Sequence, residues 1–186
     1  MLTSLLIAGF GGQGILVTGQ VIATACMLDG KNVTYMPAYG AEVRGGTVHV
    51  TVVIADRRIS SPYILSPDAA IIMNRPSLDR FEPVLQPKGL LVSNTSLVDR
   101  APRRDDLRVV PLAANDIANE LGNPRVVTLV ALGACVAASQ ITSIDSLLQA
   151  LRRVLPKERH GLLPLNQQAL ERGAACFRSL DTAGVR

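Results

Sequence analysis

Tryptophan is absent from this 186-residue chain, and aromatic residues make up only 3% of it. Single-stranded nucleic acids are commonly held on stacked aromatic rings, so that class of partner is disfavoured. The core has to be built from Val, Ile, Leu and Ala, as in a buried parallel sheet flanked by helices. No block of basic residues exists either. The net charge of +4 comes from scattered Lys and Arg, with pairs at Arg57-Arg58, Arg103-Arg104 and Arg152-Arg153 expected on solvated faces. Without clustering there is no nucleic-acid footprint, although a basic balance leaves room for acidic substrates or an acidic partner.

Cysteine ligand sets are missing too. Cys26, Cys135 and Cys176 are far apart and form no C-x-x-C, so the chain carries no zinc or iron–sulfur motif of its own. Cys26 and Cys135 sit in apolar helical patterns and read as buried thiols, which fits a reducing, cytoplasmic compartment. The longest later apolar run, Val126 to Ser139, falls short of the roughly 20 residues that span a bilayer. The apolar start has no Lys or Arg ahead of it and is broken by five glycines before Ala25, so a secretory signal is not expected.

What is present is an alternation of strand and helix patterns along residues 1–186, with no linker, repeat or low-complexity tract. Leu5–Ala8 reads as a strand and Gly14–Leu28 as a helix with an apolar stripe. Asn32–Met36 reads as a strand stopped by Pro37. Val48–Ala55 is a strand whose Val48, Val50, Val52 and Ile54 share a face. A turn at Asp56-Arg57 leads to Arg58–Ser60, which predicts a hairpin and so a mixed sheet. Further strands are expected at Ala69–Met73, Leu90–Ser93 and Arg108–Pro111. Helices are expected at Ser77–Phe81 with Ser77 as N-cap, Ala114–Leu121, Arg125–Ser139, Ile144–Val154 with Ser143 as cap, and Leu165–Leu180. The pattern predicts one α/β domain of three layers, a central mixed and mostly parallel sheet flanked by helices.

Two glycine-rich segments stand out. Gly9-Phe10-Gly11-Gly12-Gln13-Gly14 follows the first strand and opens the first helix. Gly9, Gly11 and Gly14 fit G-x-G-x-x-G, in which one glycine makes the tight turn, one admits a ligand and one lets helix and strand pack. A dinucleotide site also wants an acid at the end of the second strand. That strand ends at Met36-Pro37, Asp29 comes too early and Glu42 too late, so the ribose partner is missing. The same residues serve equally well as a turn without a ligand. The second segment, Tyr39 to Thr47, places Glu42 and Arg44 between Gly40 and Gly45-Gly46. Arg44 can fork onto a carboxylate or phosphate, or pair with Glu42 on the surface for about 0–1 kcal/mol. If the two preceding strands are parallel neighbours, both loops lie on one sheet edge.

No catalytic constellation is visible. His49 lies in a strand and reads as a hydrogen-bonded structural histidine. His160 lies in a polar, exposed turn. There is no nucleophile elbow, no H-E-x-x-H and no Walker A lysine.

The combination of Gly9-Phe10-Gly11-Gly12-Gln13-Gly14-Ile15 with Tyr39-Gly40-Ala41-Glu42-Val43-Arg44-Gly45-Gly46 resembles the gamma subunit of 2-oxoacid:ferredoxin oxidoreductases. Asn74-Arg75-Pro76-Ser77-Leu78, Pro87-Lys88-Gly89, Leu90-Leu91-Val92-Ser93-Asn94, Glu120-Leu121-Gly122-Asn123 and Ala131-Leu132-Gly133-Ala134 extend the likeness over about Leu5 to Gly173. Ala41 replaces a proline common in relatives, which bears on the loop's rigidity.

The resemblance implies a noncatalytic subunit, inactive alone. Its complex converts a 2-oxoacid and coenzyme A to acyl-CoA and carbon dioxide and passes electrons to ferredoxin. Thiamine diphosphate and Mg are then expected on alpha and beta partners, and 4Fe-4S clusters on beta or delta. Gly11, Gly12, Gln13, Gly14, Tyr39, Glu42, Arg44, Gly45 and Gly46 would face those partners or the coenzyme A path. The loop and the short chain lean toward the 2-oxoglutarate or 2-oxoisovalerate branches rather than pyruvate, with 2-oxoglutarate favoured. A stand-alone nucleotide-binding oxidoreductase domain and a pure scaffold remain alternatives.

Overall fold

The computed structural model describes residues 2–39 and 47–182. Six strands form one sheet: β1 (Leu2–Phe10), β2 (Asn32–Tyr39), β3 (Thr47–Ala55), β4 (Ala69–Ile72), β5 (Leu90–Asn94) and β6 (Arg108–Leu112), in the order β2-β3-β1-β4-β5-β6. From β1 outward through β4, β5 and β6 every pairing is parallel, while β3 runs antiparallel to both β1 and β2. The sheet is therefore mixed and mostly parallel, as the residue pattern predicts.

The antiparallel part has a different origin from the one expected. Arg58–Ser60 is not a strand. Both edges of β3 are already paired, with Leu5 opposite Val52 on one side and Tyr35 opposite Val52 on the other, so no edge is left to receive it. Pro37 does not stop β2 either; the strand runs on to Tyr39. β2 is the outermost strand, and there a residue without an N–H can be accommodated.

Period-two alternation divides the strands between two cores. Leu5, Ile7, Val50, Val52, Ile54, Ile71 and Val92 point to one face. Leu6, Ala8, Ala70, Ile72 and Leu91 point to the other. The first face is covered by α1 (Ile15–Leu28), α3 (Ala114–Glu120), α4 (Val127–Ser139), α5 (Ile144–Val154) and α6 (Leu163–Thr182). α4 is buried nearly all round, as its uniformly apolar sequence requires. Its axis can approach α6 because two glycines face each other's backbones. A Cβ on Gly133 would run into the Leu170 carbonyl, and one on Gly173 into that of Val130.

Among the described residues the second face carries only α2 (Arg75–Phe81), the 3₁₀ turn Glu82–Val84 and the segment 95–107. α2 starts two residues before the expected point. Asn74, not Ser77, is its N-cap, accepting from the Ser77 amide at 2.9 Å. Pro76 is acceptable there because first-turn N–H groups have no helical partner. Likewise α4 begins at Val127, after a 3₁₀ turn over Pro124–Val126 that Asn123 caps. Ser143 caps α5 as expected.

Polar groups hold the segment 95–107 to this face. Glu82 is only 3% exposed, yet its carboxylate is well satisfied. It accepts from the backbone amides of Arg103 and Arg104 and pairs with Arg100 at 2.8 Å. Arg104 in turn donates to the Leu85 carbonyl at 2.6 Å and pairs with Asp106. The Arg103-Arg104 pair is therefore not simply solvated: one guanidinium is a staple. Burial alone would raise the Glu82 carboxyl, but the Arg104 amide, the Arg100 guanidinium and the Arg103 amide outweigh it and hold the group below its ordinary value.

Candidate functional site

The glycine turn connects β1 to α1 at the carboxyl end of β1. The Gln13 side chain folds back over it: its Oε1 accepts from the Phe10 amide at 2.6 Å, and the Gln13 amide donates to the Phe10 carbonyl at 3.3 Å. That carboxamide occupies the space that a Cβ on Gly9 would need. Gly12 and Gly14 have φ of +94° and +85°, a region that L side chains seldom adopt. From α4, the Thr128 hydroxyl donates to the Gln13 carbonyl at 3.1 Å, tying the turn to the first face. Gly11 and Gly12 are exposed, whereas Gln13 and Gly14 are half-buried.

The helix–strand packing role assigned to Gly14 belongs instead to Gly19. A Cβ on Gly19 would approach the Val50 side chain on β3 to 2.7 Å, while one on Gly14 would meet only the Thr128 hydroxyl, at 3.1 Å. Gly14 serves as the left-handed N-cap of α1, which has no side-chain cap.

The second segment leaves the sheet beside the first. Phe10, the last residue of β1, is paired with Thr47, the first of β3, and Tyr39, the last of β2, is paired with Val48. Tyr39 thus stands at the sheet end that carries the glycine turn. Glu42, Arg44, Gly45 and Gly46 lie outside the described residues. β1 and β2 run in the same direction but are not neighbours, because β3 lies between them. This separation removes the dinucleotide crevice: an acid following β2 would be two strand spacings, about 10 Å, from β1. The chain nonetheless changes sides at β1. α1 leads to β2 and β3 on one side, and β4 follows on the other, the kind of reversal at which open α/β sheets bind ligands or partners.

Of the titratable candidates, only His49 lies near this end of the sheet, opposite Ala8 of β1. His49 points to the second face, its ring 4.9 Å from that of Phe81. It is not hydrogen-bonded as expected: Nδ1 is buried without a partner among the described residues. Burial, and then the nearby Arg80 cation, push its pKa below the usual value, so the ring is neutral at pH 7. His160 is half-buried in a 3₁₀ turn, with Nε2 at 3.1 Å from the Leu155 carbonyl. Cys26 and Cys135 are buried, as expected, and burial pushes their thiols up to about 11 and about 12. Among the described residues no group of His, Cys, Asp and Glu could hold a metal ion, and no helix is long and apolar enough to cross a membrane.

One set of residues was missed from the sequence. Asn123 and Arg125, just before α4, Arg159, in the 3₁₀ turn Lys157–Leu162, and Asn166, in the first turn of α6, converge with Gly12 and Gly14 around a single cavity. The two glycines lie more than 100 positions before the other four residues, so no local spacing announces the set.

A mixed, mostly parallel sheet with a glycine turn at its chain reversal defines the class of the domain as open α/β. The profile of the pyruvate ferredoxin/flavodoxin oxidoreductase family matches residues 4–176. The chain belongs to that family, as a gamma-type subunit domain of 2-oxoacid:ferredoxin oxidoreductases. It is 36% identical over 170 residues to ketoisovalerate oxidoreductase subunit VorA of Methanothermobacter marburgensis, covering 90% of this chain and 35% of that one. The chain thus spans about a third of the length of that relative. It is 31% identical to 2-oxoglutarate synthase subunit KorC of Methanocaldococcus jannaschii, over 81% of this chain and 82% of KorC.

Solved structures agree on the fold. The gamma subunit of a keto/oxoacid ferredoxin oxidoreductase from Geobacter sulfurreducens superposes with a TM-score of 0.82 at 26% identity, covering 95% of this chain and 99% of that one. A 2-oxoglutarate:ferredoxin oxidoreductase from Magnetococcus marinus, with 2-oxoglutarate, coenzyme A and succinyl-CoA bound, gives 0.87 at 24% identity, over 96% of this chain and 31% of that one.

Proposed function

We propose that this chain works inside a 2-oxoacid:ferredoxin oxidoreductase complex that converts a 2-oxoacid and coenzyme A to acyl-CoA and carbon dioxide while reducing ferredoxin. Alpha and beta subunits, with a delta subunit where clusters are carried separately, supply thiamine diphosphate, Mg and 4Fe-4S. The gamma chain contributes a docking edge made of the glycine turn and the segment beginning at Tyr39. The observation that carries this is the geometry of that edge: pairing of Phe10 with Thr47 brings both segments out of the sheet side by side, at the reversal of strand order.

In this reading Gly11, Gly12, Gln13 and Gly14 give a backbone surface with little side-chain bulk. Arg44 supplies a cation for a carboxylate of the partner or a phosphate of coenzyme A. The substrate is a 2-oxoacid larger than pyruvate, of the 2-oxoglutarate or 2-oxoisovalerate type. The likeness to VorA at 36% supports a larger 2-oxoacid, whereas the likenesses to KorC and to the pyruvate synthase subunit PorC are equal at 31%.

The test is reconstitution. The chain is co-expressed with the subunits encoded beside it, and dye reduction is followed with 2-oxoglutarate, 2-oxoisovalerate and pyruvate. Activity is expected only in the assembled complex, with Arg44→Ala either weakening assembly or raising the apparent KM for coenzyme A. Full turnover by the solitary chain would overturn the proposal. Unchanged assembly and KM in Arg44→Ala would remove Arg44 from the docking edge.

A further inference from the structure

A cavity of about 240 Å³ opens beside the amino end of α1, between that helix, α4, α5 and the start of α6. It is smaller than the range of roughly 300–1,000 Å³ that holds drug-sized ligands, so its occupant is a small molecule. Its electrostatics have one sign. The uncapped amino terminus of α1, a helix of 14 residues, reaches it at Gly14. Such a terminus carries about half a positive charge. Arg125 and Arg159 line it, and neither guanidinium makes an ion pair among the described residues. No carboxylate lines it among those residues.

Two buried polar side chains also point to a ligand. Asn166 is 6% exposed and Thr18 is 1% exposed, and both line the cavity. Neither side chain hydrogen-bonds to any other described residue. Each side chain is therefore held in place by packing while its hydrogen-bonding capacity stays open to whatever fills the void. Asn123 and Thr128, both engaged in hydrogen bonds within the chain, also line the cavity, and the rest of the wall is aliphatic, from Val17, Val126 and four leucines. A fully hydrated inorganic anion would leave that wall unmatched, because apolar surface gains only from apolar contact.

We propose that this cavity is a binding site for a small aliphatic carboxylate, distinct from the docking edge and sharing only Gly12 and Gly14 with it. The carboxylate accepts from the amino end of α1 and from Arg159, with Arg125 adding to the positive field. The Asn166 amide and the Thr18 hydroxyl complete its hydrogen bonds, and the hydrocarbon body lies against the leucines. Binding requires neither assembly nor turnover, so it holds or fails independently of the function proposed above.

The experiment is a titration of the full chain, labelled with ¹⁵N, with butanoate, butanamide and inorganic phosphate in parallel. Butanoate is expected to give saturable amide shifts at Gly14, Ile15, Thr18 and Asn166. Butanamide should bind at least tenfold more weakly. Arg159→Gln, on an exposed side chain, should weaken butanoate about tenfold while leaving the rest of the spectrum in place. Asn166→Leu should abolish the shifts. Were Asn166→Leu to misfold, Arg159→Gln would still decide the matter. Equal binding of butanamide, saturation by phosphate alone, or no saturable shift with any probe would each overturn the proposal.

Discussion

The two faces of the sheet are held by different physics. The first face is a continuous aliphatic core in which five helices press on β1, β3, β4 and β5, and its closest approach is the glycine contact between α4 and α6. The second is a smaller apolar patch closed by α2 and the segment 95–107, with Glu82 and its arginines at the seam. A face that buries enough apolar area needs no charge at its centre. A face covered by a seven-residue helix and a loop has little area to bury, so it recruits charge-assisted hydrogen bonds. The first face should therefore respond to volume and ignore pH, and the second should do the reverse.

The largest test is Gly173→Val. Overpacking against a side chain costs about 1–3 kcal/mol, and here the obstacle is the backbone of Val130. A loss of about 3 kcal/mol or more is expected in urea unfolding, to the same extent at pH 5 and pH 8. A near-neutral result would mean that α4 and α6 can separate without penalty. Next comes Glu82→Gln, which leaves Arg100 and two amides without their anion. A loss of about 2 kcal/mol at pH 7 is expected, because removing one partner of a buried charged hydrogen bond costs more than the bond itself contributes.

The sign of the pH effect follows from the depressed carboxyl groups. Asp79 and Asp106 are lowered by their bonds to Arg100 and Arg104, and Asp99 by its bond to Arg75. Glu82 is lowered by its partners against the effect of burial. Their stabilisation is present above the ordinary carboxylate value near ~4 and is lost as pH falls through the lower folded values. Wild-type stability should therefore fall on acidification below about pH 4.5, and Glu82→Gln should flatten part of that fall. An unchanged slope would separate the seam from acid stability.

Two smaller effects refine the contrast. Asn74→Ala removes the cap of α2 and should cost about 1 kcal/mol, detected as a lower melting temperature. A thiol reagent at pH 8 should modify the half-buried Cys176 and spare Cys26 and Cys135, whose thiols lie at about 11 and about 12 inside the first face. Rapid labelling of Cys26 or Cys135 would mean that the first face opens more readily than its packing indicates.

Element types were legible where the pattern is local. Alternation in residues 47–55 marks β3, Ser143 marks the start of α5, and uninterrupted apolarity marks α4 as buried. The glycine turn was legible as a turn, and its company with Tyr39–Gly46 was enough to suggest the family. Other features were hidden because they depend on distant partners. Pro37 reads as a strand stop until β2 is known to be an edge. Arg103-Arg104 reads as a solvated pair until Glu82 is seen beneath it. Gly14 reads as a packing glycine until Val50 is found beneath Gly19 instead.

By itself the sequence determined most element types, the two-sided burial of the sheet, the presence of a glycine turn between β1 and α1, and the absence of a C-x-x-C ligand pair, because each rests on side-chain period, backbone permissiveness or residue chemistry. Only the tertiary structure decided that β3 inserts between β1 and β2, and that Asn166 and Thr18 face the same void as Arg125 and Arg159. An alternating strand accepts a partner on either edge equally well. Which partner it receives is settled by the packing of the helices on its faces, and that information is spread over the whole chain.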